Sequence, residues 1–126
     1  MSLVIKHPVK ANIDARGFCW FPFQQLAELD EKQMVNFHFA ELKPGAVRGN
    51  HSHTSHTEFT MVSGSSINLT FEDQSGNKEE EFYEKSPDIL FEIPPDIKHS
   101  IENKGTETNY LIGFFKGKGK VKTERF

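Results

Sequence analysis

The chain has 126 residues, enough for one domain around one hydrophobic core. Its formal net charge of -3 gives no reason to expect nucleic acid or an anionic membrane as partner. Hydrophobic content is 36%, mean hydropathy is -0.57, and no apolar run approaches the roughly 20 residues that cross a bilayer. Cys19 is the sole cysteine, so no intrachain disulfide can form. The first residues lack the charged-then-apolar pattern of a signal peptide, and a cytoplasmic location is expected.

Taken in order, the chain reads as many short strands. Residues 3–6 are a short β-prone run that Pro8 interrupts. Asp14-Ala15-Arg16-Gly17 is a turn, and Pro22 makes the Phe18–Phe21 run an edge strand at best. Residues 24–32 (QQLAELDEK) are the one segment suited to a helical turn or two. Residues 33–42 read as a clear strand, with Val35, Phe37 and Phe39 on one face and Asn36, His38 and Ala40 on the other. Lys43-Pro44-Gly45 turns the chain toward His51, and Gly64 turns it again into the alternating run 67–71. Asp73–Lys78 (DQSGNK) is a hairpin-type loop, and Glu79, Glu80, Glu81 and Glu84 decorate a solvated strand. Ile89–Ile93 is a buried-looking strand ended by Pro94-Pro95, and Tyr110–Phe115 is a second apolar strand. Residues 1–115 are therefore expected to form one domain of sandwich or barrel type. Residues 116–126, with five basic side chains, are expected to be a mobile tail or to fold over a partner subunit.

Chemistry concentrates in residues 45–64, GAVRGNHSHTSHTEFTMVSG, which hold His51, His53, His56 and Glu58. His51 and His53 are two apart, so on a strand both imidazoles share a face. Nitrogen and oxygen donors gathered this way suit zinc, manganese, iron or nickel. Residues 88–103, DILFEIPPDIKHSIEN, add His99. Phe59 and Met61 alternate with Thr60 and Val62, which does not settle the direction of Glu58. Arg48 precedes His51 and reads either as a surface cation or, if near a pocket mouth, as a planar guanidinium suited to phosphate or carboxylate. Asn103 is most simply a turn residue, and with Arg48 and Tyr83 it is a candidate substrate contact.

These two stretches resemble the paired signatures of the cupin superfamily. Gly45, His51, His53, Glu58 and Gly64 match the first, with five residues rather than six before the last glycine. Pro94, His99 and Asn103 match the second, while Asp88 and Asp96 stand where the family prefers glycine. The resemblance implies an all-β, double-stranded β-helix or jelly-roll barrel, with His51, His53, Glu58 and His99 holding a divalent metal. A homodimer is expected by analogy with small cupins.

A finer resemblance rests on Asp14–Gly17 and on the Arg48-Gly49-Asn50-His51 element. It is to the sugar-nucleotide cupins: the dTDP-4-keto-6-deoxyhexose 3,5-epimerases, the 3,4-ketoisomerases, and the cupin domain joined to UDP-sugar reductases of capsule synthesis. In the metal-free enzymes, the histidine matching His51 is a catalytic base, the ketoisomerases also use the one matching His53, and Arg48 would lie near nucleotide phosphates. No tyrosine stands in register with the epimerases' general acid; Tyr83 is the nearest candidate. The metal-carrying, reductase-linked domain is the closer analogue. The expected function is keto-sugar isomerisation or epimerisation through a metal-stabilised enolate. If all four ligands bind metal, the base must be His38 or His56. An Fe(II)-dependent dioxygenase of small molecules and a non-catalytic carbohydrate- or small-ligand-binding module are the alternatives.

Overall fold

Two five-stranded antiparallel sheets face one another in the computed structural model, which describes residues 2–26 and 29–126. In chain order the strands are β1 (Ile5–Pro8), β2 (Asn12–Asp14), β3 (Gly17–Cys19), β4 (Met34–Leu42), β5 (Val47–His53), β6 (Thr57–Ser63), β7 (Ile67–Glu72), β8 (Lys78–Tyr83), β9 (Ile89–Ile93), β10 (Lys98–Asn103), β11 (Asn109–Lys116) and β12 (Thr123–Arg125). One sheet has the order β1-β9-β6-β11-β4 and the other β12-β5-β10-β7-β8, while β2 and β3 form a separate hairpin. Successive strands cross repeatedly between the sheets, as in a jelly roll. The expected helical segment is reduced to α1 (Pro22–Gln25) and a 3-10 turn at Glu31–Gln33; its middle, residues 27 and 28, lies outside the described residues. No described helix is long and apolar enough to cross a membrane.

The alternation read in the sequence sorts residues into two cores. Leu42, Val62, Ile67, Leu69, Phe71, Phe91, Ile93 and Leu111 meet between the sheets. Phe59, Met61, Leu90 and Phe114 point the other way, off the outer face of the first sheet. There they are covered by Leu26 and Leu29, with Val9, Trp20, Phe23 and Met34 packed alongside. The N-terminal segment is thus a lid on that sheet. Trp20 Nε1 and the backbone amide of Lys10 both donate to Gln25 Oε1, and Gln25 Nε2 donates to the Pro8 carbonyl, which ties the lid to itself.

β4 corrects one expectation. Val35 pairs with Phe115 on the inner side, but Asn36 adopts φ 53 and a bulge opens between Gly113 and Phe115. One extra residue reverses the facing of the residues after it. Phe37 and Phe39, each 66% exposed, therefore point outward, and His38 and Ala40 line the interior. The basic segment also departs from expectation. Thr123, Glu124 and Arg125 pair with His53, Ser52 and His51, so the tail ends as a strand of the second sheet.

Phe114 stacks on Phe59 at 5.2 Å and meets Phe23 and Phe37, which makes it the centre of the outer core. Phe114→Ala is expected to cost about 3–5 kcal/mol in urea unfolding. It is also expected to open the segment 9–34 to limited proteolysis before the barrel itself is cut.

Candidate metal centre

β5 and β10 are neighbours in the second sheet, and His51 stands directly opposite His99. Opposed residues of an antiparallel pair project to the same side, so both rings enter the space between the sheets. The short turn after β5 returns the chain as β6 in the other sheet. Phe59 and Met61 occupy the outer core there, which leaves Glu58, Thr60 and Val62 facing inward. The direction that the alternation of β6 left open is set by the lid.

His51, His53, Glu58 and His99 converge, with one donor atom of each within 4.8 Å of the others. Glu58 Oε1 lies 2.9 Å from His53 Nε2, 3.0 Å from His99 Nε2 and 4.0 Å from His51 Nε2. Ligands at about 2.1 Å around one zinc-sized ion would be separated by roughly 3 to 4.2 Å; the three Glu58 distances match that span, and donors up to 4.8 Å apart would draw together around a shared cation. His99 Nδ1 donates to the Ile97 carbonyl at 2.9 Å, and Thr123 Oγ1 lies 3.0 Å from His53 Nδ1. Both contacts steady rings whose Nε2 atoms face Glu58, as outer partners of metal-bound histidines do. His51 Nδ1 is buried with no partner. The three-nitrogen, one-oxygen set is able to hold a divalent ion and leaves positions open if the geometry is octahedral.

Electrostatics point the same way. Burial opposes ionisation of Glu58, but hydrogen bonds from His53 and His99 and the charge on those rings outweigh it and hold the carboxyl well below the usual range. Burial likewise opposes charging of His99, yet the Glu58 carboxylate beside it raises its pKa. His51 is pushed down to about 4, first by burial and then by the charge of His99, against the pull of Glu58. It is neutral near pH 7, so its lone pair is available to a cation.

Gly49 is required for this placement. It has φ 94, and a Cβ there would lie 2.8 Å from the His99 carbonyl oxygen. Asn50 comes next at φ 59, and the two left-handed residues form the irregularity that sets His51 opposite His99. In the second motif, Asp96 stands in the family's glycine position and adopts φ 67, which aspartate tolerates better than most residues. Its amide donates to the His53 carbonyl at 2.8 Å.

The centre opens into a cavity of about 400 Å³ between the two sheets. His38, Thr60 and Arg48 line it beside the apolar side chains of Val47, Ile101 and Leu111. His38 Nδ1 donates to the Asn36 carbonyl at 2.9 Å, which leaves Nε2 as a proton acceptor. The ring stacks on Phe115 at 5.6 Å and lies over Gly113, where a Cβ would come within 2.5 Å of Nε2. Arg48 Nε donates to the Glu41 carbonyl at 2.7 Å, which anchors its guanidinium at the rim.

Three expected site residues are elsewhere. His56 is 1% exposed and outside the cavity lining, with Nδ1 on Ser55 Oγ and its ring packed against Phe115 and Gly117. It packs within the core and does not border the cavity. Asn103, also 1% exposed, donates to the Leu42 and Glu107 carbonyls and accepts from the Gly105 amide. Those bonds use the amide to hold a turn. Tyr83 lies on β8 at the far edge of the second sheet, its hydroxyl on Glu81 and its ring near Phe91. Two neighbours of the centre, Thr123 and Arg125, are not singled out by the sequence. The only cue in KTERF is period-two alternation, masked by charged residues that are uncommon in strands.

No protein-family model matches the chain, and no curated protein matches it in sequence. Solved structures do. A mutant of the 3,4-ketoisomerase QdtA from Thermoanaerobacterium thermosaccharolyticum, in complex with TDP-4-keto-6-deoxyglucose, superposes with a TM-score of 0.73 at 11% identity. That match covers 100% of this chain and 89% of the enzyme. The chain has the cupin fold. The dTDP-4-dehydrorhamnose 3,5-epimerase of Sulfolobus tokodaii gives a TM-score of 0.69 at 15% identity over 93% of this chain and 72% of that one. The capsular polysaccharide assembling protein CapF of Staphylococcus aureus gives 0.56 at 22% identity, over 90% of this chain and 30% of CapF. The sugar-nucleotide cupins suggested by the sequence motifs are thus structural neighbours of this chain.

Metal loading should displace a proton. His99, whose pKa is raised against burial by the Glu58 carboxylate, favours its protonated form at mildly acidic pH and must lose that proton to coordinate. Zinc titrated into metal-free protein at that pH is expected to release protons, seen as a calorimetric enthalpy that varies with the buffer's ionisation enthalpy. Zinc affinity is expected to fall as pH drops through the His99 range, while His51 adds competition only near pH 4. An enthalpy independent of buffer would contradict the assignment of His99.

Proposed function

We propose that this cupin is a metal-dependent isomerase or epimerase of a keto-sugar, and that the sugar is carried on a nucleotide. The observation that carries the reading is one cavity holding a four-residue metal set beside a histidine outside that set, His38. A divalent ion held by His51, His53, Glu58 and His99 would supply Lewis acidity to a ketone oxygen. His38 Nε2, the acceptor nitrogen of a neutral ring whose Nδ1–H is given to Asn36, takes the proton from the hydroxyl-bearing carbon beside the ketone and delivers it to the former carbonyl carbon, while the hydroxyl proton passes to the former ketone oxygen. His51 is not that base, because its lone pair is directed to the metal set and its basicity is depressed. Val47, Ile101 and Leu111 shield the reacting carbon from water, and Arg48 meets a phosphate of the substrate. The ligands named for the structural neighbours, TDP and TDP-4-keto-6-deoxyglucose, support this substrate class.

We also propose a homodimer. The β2–β3 hairpin is exposed throughout, with Ile13 at 81% and Phe18 at 58%, and a two-stranded sheet is marginal by itself. On the barrel, Phe39 stacks on Tyr110 at 5.6 Å beside exposed Phe37, along the open edge strand β4. A second copy offers each apolar surface a partner and covers the edge.

Two measurements test these readings. Sedimentation is expected to show a dimer that Phe39→Glu converts to monomer; a monomeric parent protein refutes the assembly. In deuterated water, the zinc-loaded protein is expected to exchange a C–H proton of TDP-4-keto-6-deoxyglucose, followed by NMR. His38→Asn is expected to slow that exchange about 10²- to 10⁴-fold while zinc content is retained. Unchanged exchange in His38→Asn refutes the base. Oxygen consumption or ligand-induced stabilisation without exchange would instead favour a dioxygenase or a binding module.

A further inference from the structure

The last strand, β12, is built into the wall of the cavity. Its pairing places Thr123 opposite His53 and Arg125 opposite His51. Opposed residues share a face, so Thr123 and Arg125 project with the two histidines, and Glu124 projects with Ser52 to the other side. The Thr123 hydroxyl, 3.0 Å from His53 Nδ1, shows that facing directly. The strand is held at both ends. The Thr54 amide donates to the Lys122 carbonyl at 3.2 Å, and the Phe126 amide donates to the Asn50 carbonyl at 3.0 Å. Asn50 Nδ2 donates back to the Phe126 carbonyl, and Lys98 Nζ sits 4.7 Å from the centre of the Phe126 ring. The Arg125 backbone is therefore fixed, and its side chain lines the cavity with Arg48.

The charge around that cavity is one-sided. Glu58 is the sole carboxylate among the lining residues, and it is turned into three histidines. Arg48 and Arg125 are thus not neutralised by the cavity's own acids. We infer that Arg125 is a second oxyanion-binding residue, which with Arg48 forms a cationic rim for the diphosphate of a nucleoside diphosphate ligand. Guanidinium forks suit phosphate oxygens in paired geometry, and two of them on one rim suit two linked phosphates. The inference rests on the cavity being a ligand site, and not on the enolisation proposed for it.

Calorimetry at low salt, with the full chain and TDP, inorganic pyrophosphate and thymidine as probes, tests the inference. TDP and pyrophosphate are expected to bind more tightly than thymidine. Arg125→Gln is expected to raise both dissociation constants about tenfold or more, with Arg125→Lys between. Glu124→Gln, on the other face of the same strand, controls for the strand itself and is expected to bind like the parent. Arg125→Gln is expected to bind zinc no more weakly than the parent, since a positive charge beside His51 is removed, which shows that the centre remains folded. TDP binding in Arg125→Gln equal to the parent's, an equal loss in Glu124→Gln, or no binding of either phosphate probe overturns the inference. Arg125-dependent TDP binding without C–H exchange would leave it standing and sink the keto-sugar reading. Exchange with Arg125-independent binding would do the reverse.

Discussion

The carboxylate of Glu58 joins the two sheets at their polar end. It comes from the first sheet and meets His51, His53 and His99 of the second. Burying an anion among three imidazoles is unfavourable unless charge is shared. Here His99 is held charged and Glu58 ionised, or a cation takes the place of the protons. Either way the sheets cannot slide or separate without exposing or stranding charge. The apolar end needs no such device, because Leu42, Phe71 and Phe91 fill the gap there.

Glu58 can face inward only because something else accepts Phe59 and Met61. On a two-sheet sandwich with one solvated face, those residues would claim the interior and turn Glu58 to water. The N-terminal lid supplies a second apolar environment on the outer face. A segment remote from the centre thereby sets the orientation of a ligand within it. The same logic holds on β4, where the bulge at Asn36 turns His38 into the cavity and leaves Phe37 and Phe39 outside.

The cavity combines elements of different rigidity. β5 and β10 carry three ligands and are hydrogen-bonded to each other within the second sheet. β4 and β12 are edge strands, and they carry His38 and Arg125. Edge positions have fewer neighbours to constrain them, so the groups proposed to meet a ligand lie where adjustment is easiest. The candidate metal-binding side chains lie where it is hardest, which would preserve their geometry around an ion.

Local patterning was enough to reveal most of this protein. Period-two runs and turn residues indicated the strands and a sandwich or barrel, and the resemblance of two motifs to the cupin signatures supplied the jelly roll and the set His51, His53, Glu58 and His99. Those signals survive in one dimension because strand periodicity and the spacing within each motif are properties of neighbouring residues. Tertiary structure decided facing and partnership. Whether Phe37 is inside, whether His56 reaches a substrate, and whether residues 123–125 join a sheet depend on a bulge, a lid and a distant strand. Each arises from contacts between residues far apart in the chain, which no local pattern encodes.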